Sequence, residues 1–215
     1  MSTGPESALV IGGAGAVGDG IVQALAGAGS RVAVVDPAGA PEAAAVLAPA
    51  AAPLVIEAPA QPGLAGRLGQ FELVVVSLSA RGQGRAAGAL RPSGVAGEAL
   101  PPRIAALELA LATLVEGGTL IELAGAAVLK PAADEAGLIG GWQEGIHRGL
   151  AALASIRAFL CAIATPVRSR RLAGEGETWP TAQDIGTRLL ELHASDHDGG
   201  LFVIAAPDFR PVRQR

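Results

Sequence analysis

Ala8-Leu9-Val10-Ile11-Gly12-Gly13-Ala14-Gly15-Ala16-Val17-Gly18-Asp19-Gly20 is a short apolar run that feeds a cluster of glycines. The cluster opens a helix-like segment from Gly20 to Ala28. A second apolar run, Arg31 to Val35, then ends on Asp36. Strand, glycine turn, helix, strand and acid follow one another in the order of a dinucleotide-binding βαβ unit.

Each part has a chemical reason. Gly13 allows a tight turn that a side chain would block, Gly15 admits a pyrophosphate close to the backbone, and Gly18 lets the helix pack on the strand. The N–H groups at the helix start then face the phosphates. The expected cofactor-binding set is Gly12, Gly13, Gly15, Val17, Gly18 and Asp36. The acid stands where a carboxylate accepts both hydroxyls of an adenosine ribose. It would repel a 2′-phosphate, so the expected cofactor is NAD rather than NADP. The competing reading is that these glycines serve only the turn and the helix–strand contact.

Composition bounds the rest. The chain has 215 residues, enough for one domain (1–215) with a sizeable core. Half the residues are hydrophobic, yet only 3% are aromatic, so that core is built from Ala, Val, Leu and Ile. Net charge is −4 and no basic stripe is interleaved with aromatics, which argues against nucleic-acid binding. The single cysteine, Cys161, reads as a buried thiol in a reducing compartment. Met1 to Ser7 has neither a basic residue nor an apolar stretch, and the longest apolar segments are broken by Glu108 and Arg157. The expectation is a soluble cytoplasmic protein without a membrane span.

Beyond Asp36, the pattern gives a short helix from Glu42 to Leu47, a strand at Leu54-Val55-Ile56, a short helix from Pro62 to Leu68 and a buried strand from Phe71 to Leu78. Ser79 to Pro102 is rich in glycine and carries Arg81, Arg85 and Arg91. It reads as a loop, either simply solvated or presented to an acidic ligand. Helical spacing covers 103–116, Gly117-Gly118 end that helix, and Thr119 to Leu123 is a strand. A long helix is expected over 142–164, with Ile146, Leu150, Leu153, Ile156, Leu160 and Ile163 on one stripe. A strand at Val167–Leu172, a helix from Ala182 to Ala194 and a strand at Leu201–Ala205 complete the series. Strands alternate with helices throughout, which implies an α/β fold: a Rossmann-like doubly wound parallel sheet in a single domain.

This order resembles the short-chain dehydrogenase/reductase family over nearly the whole chain. The glycine turn is similar to the family's cofactor loop, and Gly117-Gly118-Thr119-Leu120-Ile121-Glu122-Leu123 resembles its fifth strand. The helix 142–164 falls where the family carries its active-site helix. The segment from Thr181 to Ala205 resembles its last helix, loop and strand. The resemblance implies a catalytic tyrosine, a lysine four residues later, a serine and an asparagine. The chain has no tyrosine and no asparagine, and its one lysine is Lys130, outside that helix. Gly125 falls at the serine position, and the tyrosine and lysine positions fall near Gly145 and Gly149. The segment after strand four reads Ser77-Leu78-Ser79-Ala80 in place of the family's Asn-Asn-Ala-Gly. No catalytic residue of the family is therefore carried over.

The resemblance also implies a partner. Subunits of the family associate through helices corresponding to 103–116 and 142–164, giving dimers and tetramers. The leading expectation is a non-catalytic subunit joining a catalytically complete paralogue in a heteromeric NAD-dependent dehydrogenase acting on a hydroxyacyl or alcohol substrate. Two rivals accompany it. One is a lyase, isomerase or cyclase using His147 with Arg148 and Glu144 as a substitute acid–base group. The other is an NAD-sensing regulator. His193, Asp196, His197 and Asp198 form a polar loop without the ligand spacing of a metal site, so no metal is expected.

Overall fold

The structure is a computed structural model that describes residues 4–36, 54–55, 62–78, 95–129, 135–153, 155–168, 179–205 and 211–213. Within these, β1 is Ser7–Ile11, α1 Gly18–Gly27, β2 Arg31–Val35, β3 Leu54–Val55 and α2 Leu64–Leu68. They are followed by β4 Phe71–Val76, α3 Val95–Thr113, β5 Leu114–Gly125, α4 Glu135–Leu150 and β6 Arg157–Ile163. The C-terminal part gives α5 Ala182–His193, β7 Gly199–Ile204 and β8 Pro211–Arg213. One sheet runs in the order β3-β2-β1-β4-β5-β6-β7-β8. Neighbours from β3 to β7 pair parallel, and β8 adds an antiparallel edge.

Successive side chains of a strand point to opposite faces, and here both faces are apolar. Val10, Val34, Val75, Ile121, Phe159 and Phe202 pack beneath Ile21 and Leu25 of α1 and Ile185 and Leu189 of α5. Leu9, Ile11, Val35, Val74 and Leu120 pack against Leu107 and Ala110 of α3, with Trp142 and Leu150 of α4 around them. Strands covered on both sides read as unbroken apolar runs, which is why β1 and β4 were legible as sequence. α5 starts on a capping box: Thr181 accepts from the Asp184 backbone, and Asp184 accepts in return from the Thr181 N–H.

Three expectations are corrected. The long helix over 142–164 is instead the end of α4 and the whole of β6. Every residue from Ala158 to Ala162 is buried between β5 and β7. A run apolar at every position satisfies a helical period as readily as a strand, so the stripe continued through it. The strand expected at 167–172 is accordingly not the sixth strand. Its described part holds only a bridge between Arg168 and Thr181, and 169–172 lie outside the described residues. The helix over 103–116 begins earlier, at Val95, with Pro101 and Pro102 inside it, and ends at Thr113. Proline favours a first turn, which misplaced the start and left 95–102 read as loop. The helix at 42–47 and the arginines at 81, 85 and 91 lie outside the described residues. β8 had no expectation at all.

Candidate functional site

The first candidate is the glycine turn after β1. Gly12 takes the left-handed backbone at φ 87°, so the tight turn falls one residue before the Gly13 expected to make it. Gly13 instead packs flat on β2: a Cβ there would stand 2.5 Å from Val34 Cγ1. At Gly18 a Cβ would collide with the Gly12 carbonyl oxygen and stand 2.8 Å from Gly13 Cα, so the turn closes onto α1 only without a side chain. The turn is pinned to the sheet by Gly12 N–H donating to the Val35 carbonyl at 2.7 Å.

Asp36 stands beside this turn at the end of β2. It is buried, and its Oδ2 accepts from the Ala14 N–H at 2.7 Å. The structure therefore brings Gly12, Gly13, Gly15, Val17, Gly18 and Asp36 together at one end of the sheet. The helix start carries no side-chain cap: Val17 is the N-cap and makes no such bond. Asp19 in the first turn is buried, and its Oδ1 accepts from Gln23 Nε2 at 2.9 Å. A turn of glycines and small apolar residues, a helix start without a side-chain cap and an adjacent carboxylate fit a dinucleotide's pyrophosphate and ribose.

The second candidate was not foreseen. Glu122, on β5, is completely buried on the face toward α3 and α4. Its Oε1 accepts from Arg103 Nη1 of α3 at 3.0 Å and from Gln143 Nε2 of α4 at 2.7 Å. Its Oε2 pairs with His147 Nε2 of α4 at 2.8 Å. Arg103 Nη2 also donates to the Leu78 carbonyl just beyond β4. Burial alone would raise the Glu122 carboxyl, but the His147 hydrogen bond and charge, with Gln143 and Arg103, hold it below its ordinary value of 4.5. Burial lowers the Arg103 guanidinium from its ordinary range against the pull of Glu122. Among the described residues, His147 Nδ1 and Arg103 Nε have no hydrogen-bond partner.

This hub rearranges the expected substitute site. His147 is only 3% exposed and faces Glu122, whereas Arg148 and Glu144 pair with each other at 2.6 Å on the solvent side. The three side chains do not form one group. The positions read as tyrosine and lysine sites are also corrected. Gly145 and Gly149 lie on the exposed face of α4, where an added Cβ would meet nothing within 4 Å. Ile139, Gln143 and His147 of α4 are buried instead. Gly125, at the end of β5, is exposed and offers no side-chain hydroxyl.

The remaining candidates are structural. His193 Nδ1 lies 3.0 Å from the Thr119 hydroxyl, and Arg157 donates to the His193 and Ser195 carbonyls at the end of α5. His197 stacks at a tilt on Phe202. Among the described residues no group of His, Cys, Asp or Glu is arranged to hold a metal. Cys161 is buried, and burial pushes its thiol up to about 12, which leaves it inert. Among the described residues no helix is long and apolar enough to cross a membrane.

No protein-family model matches the sequence, and no curated protein matches it. Solved structures do. A short-chain dehydrogenase/reductase from Serratia marcescens BCRC 10948 superposes with a TM-score of 0.68 at 18% identity, over 95% of this chain and 98% of the other. A short-chain type dehydrogenase/reductase from Mycobacterium ulcerans gives a TM-score of 0.73 at 13% identity, over 99% and 94%. The fold is that of the short-chain dehydrogenase/reductases. A short-chain dehydrogenase from Burkholderia cenocepacia J2315, in complex with NADP, shares it with a TM-score of 0.67 at 19% identity, over 93% of this chain and 96% of that one. The short-chain dehydrogenase/reductase fold explains the strand order and the place of the glycine turn. Glu122 itself had a sequence signal: one carboxylate inside the buried run Thr119-Leu120-Ile121-Glu122-Leu123, with Gln143 and His147 one helical turn apart.

Proposed function

We propose that this chain is a non-catalytic subunit on the short-chain dehydrogenase/reductase fold, binding NAD at the glycine turn and assembling with a catalytically complete paralogue. The observation that carries the reading is the inner face of α4. Ketone/alcohol hydride transfer needs a proton donor at the carbonyl oxygen, worth roughly 10²–10⁴ in rate. The chain has no tyrosine for it, and the polar side chains that α4 turns toward the sheet, Gln143 and His147, are both spent on Glu122. Bound NAD would supply the hydride chemistry of the assembled enzyme. In this chain Asp36 would hold the ribose hydroxyls, and the Gly12–Gly18 turn the pyrophosphate.

The outer surfaces support assembly. The exposed large apolar side chains among the described residues are Ile104 and Leu111 on α3, Leu138 and Ile146 on α4, and Leu153 in the turn after it. On this reading these apolar side chains of two neighbouring helices belong to the surface that another chain covers. We propose that the paralogue docks there, giving a mixed dimer or tetramer whose substrate is a hydroxyacyl compound or an alcohol.

Co-expression of the chain with its paralogue, followed by mass measurement of the eluted complex and an assay of NAD reduction, tests this. A mixed oligomer whose turnover disappears when the paralogue's tyrosine is replaced is the expected result. A homo-oligomer of this chain that turns over alcohols with NAD by itself would overturn it. The NAD-sensing reading is favoured only by the turn geometry, and calorimetry that records no heat with NAD or NADH would remove it.

A further inference from the structure

Apolar packing is non-directional. The contacts of Leu107, Ala110, Trp142 and Leu150 in the apolar cluster set no angle for a helix as a hydrogen bond does. Glu122 is directional. Its two oxygens take Gln143 and His147, at i and i+4 on α4, and Oε1 also takes Arg103 of α3. Two grips one helical turn apart fix both the rotation and the translation of α4. Arg103 carries the same fixing to α3 and, through the Leu78 carbonyl, to the end of β4.

We infer that Glu122 is the registration point of the α3–α4 surface, and that it decides which side of α4 is presented for assembly. The inference rests on the assembly proposed above. At about 100° per residue, the side opposite Gln143 and His147 carries Leu138, Gly141, Gly145, Arg148 and Gly149, all exposed. Stability alone does not account for the hub, because well-packed apolar residues commonly replace a buried ion pair at no loss. Buried polar groups that fix the register of packed helices are the best-attested use of such an arrangement.

Trp142 reports the position of α4. It is half-buried against the apolar cluster, and Trp179 is the other tryptophan. With Trp179→Phe as the background, two variants are compared: Gln143→Met, which keeps the ion pair, and the triple Arg103→Met, Glu122→Leu, His147→Leu. Circular dichroism and melting establish that each folds. The expected result is red-shifted Trp142 emission, steeper acrylamide quenching and association with the paralogue weakened about tenfold. Folded variants with wild-type emission, quenching and association overturn the inference. A Trp142 shift with unchanged association removes the link to assembly. A Trp142 shift in a chain whose wild type binds no paralogue sinks the assembly reading and leaves the registration of α4 standing. If the triple variant does not fold, Gln143→Met alone decides.

Discussion

The Glu122 carboxylate and the His147 imidazole meet at 2.8 Å in the interior, both buried. Removing one member of a buried charged cluster leaves the others desolvated and unpaired, at a cost of about 3–5 kcal/mol. Glu122→Ala strands Arg103, Gln143 and His147 together. For a chain of this size that lowers Tm by roughly 10 °C. The triple apolar replacement stays within about 1–2 kcal/mol of wild type, because nothing charged is left behind. Thermal melts of the two side by side check this, and equal loss in both would refute it.

Glycine carries opposite signs in two places. At Gly18 an alanine meets the Gly12 carbonyl and Gly13 Cα, so Gly18→Ala is expected to distort the turn and abolish nucleotide binding. At Gly145 an alanine meets nothing, and helix propensity favours it by about 1 kcal/mol. Gly145→Ala should raise the melting temperature of the chain, by roughly 2–4 °C per kcal/mol. A bulky Gly145→Trp should leave the fold intact and block the paralogue. A lower Tm for Gly145→Ala would mean that α4 is not exposed there in solution.

Much of this fold is legible in the sequence. β1, α1, β2 and Asp36 follow from one unbroken apolar run, one glycine cluster and one acid. They are local, and the chemistry of phosphate approach demands glycine where it stands. The α4–β6 boundary was not legible, because Phe159-Leu160-Cys161-Ala162 is apolar at every position and carries no period of its own. What separates helix from strand there is pairing with Leu123 and Phe202, a non-local fact. His147 stands out in the sequence as a titratable residue, but its partner cannot be read from the helix alone. That partner is Glu122, which arrives from β5 and is visible only as a charge in an apolar run.

Acid should weaken the fold in two stages. Burial first, then the Arg157 charge, lowers His193 from its ordinary value of 6.5, with Glu72 opposing. A lowered folded value means that the unfolded chain binds the proton more readily. The stability from neutral His193 is therefore complete above 6.5 and is lost as pH falls through the folded value. Glu122 is also held below its ordinary 4.5, so its contribution is complete above 4.5 and is lost as pH falls further. Tm measured against pH should fall first below 6.5 and then again below 4.5. His193→Gln should flatten the first step and leave the second. A flat profile across the first window in wild type would refute the assignment to His193.

Asp36 holds the glycine turn, and the proposed NAD binding assigns the nucleotide preference to the same side chain. Its Oδ2 holds the Ala14 N–H at 2.7 Å, a bond with a charged acceptor, worth about 1.5–3 kcal/mol. On the proposed reading the same carboxylate would also accept the hydroxyls of an adenosine ribose and repel a 2′-phosphate. Calorimetry should therefore record binding of NADH and weaker or no binding of NADPH. Asp36→Ala should lower NADH affinity by about tenfold or more, since the loss of one charged hydrogen bond exceeds 1.4 kcal/mol. It should also narrow the gap to NADPH, because the repelling charge is gone. The Asp36→Asn variant separates the two effects: its amide oxygen still accepts from Ala14, so the turn and the melting temperature hold while discrimination falls. Tighter binding of NADPH than NADH by the wild-type chain would show that Asp36 serves only the turn.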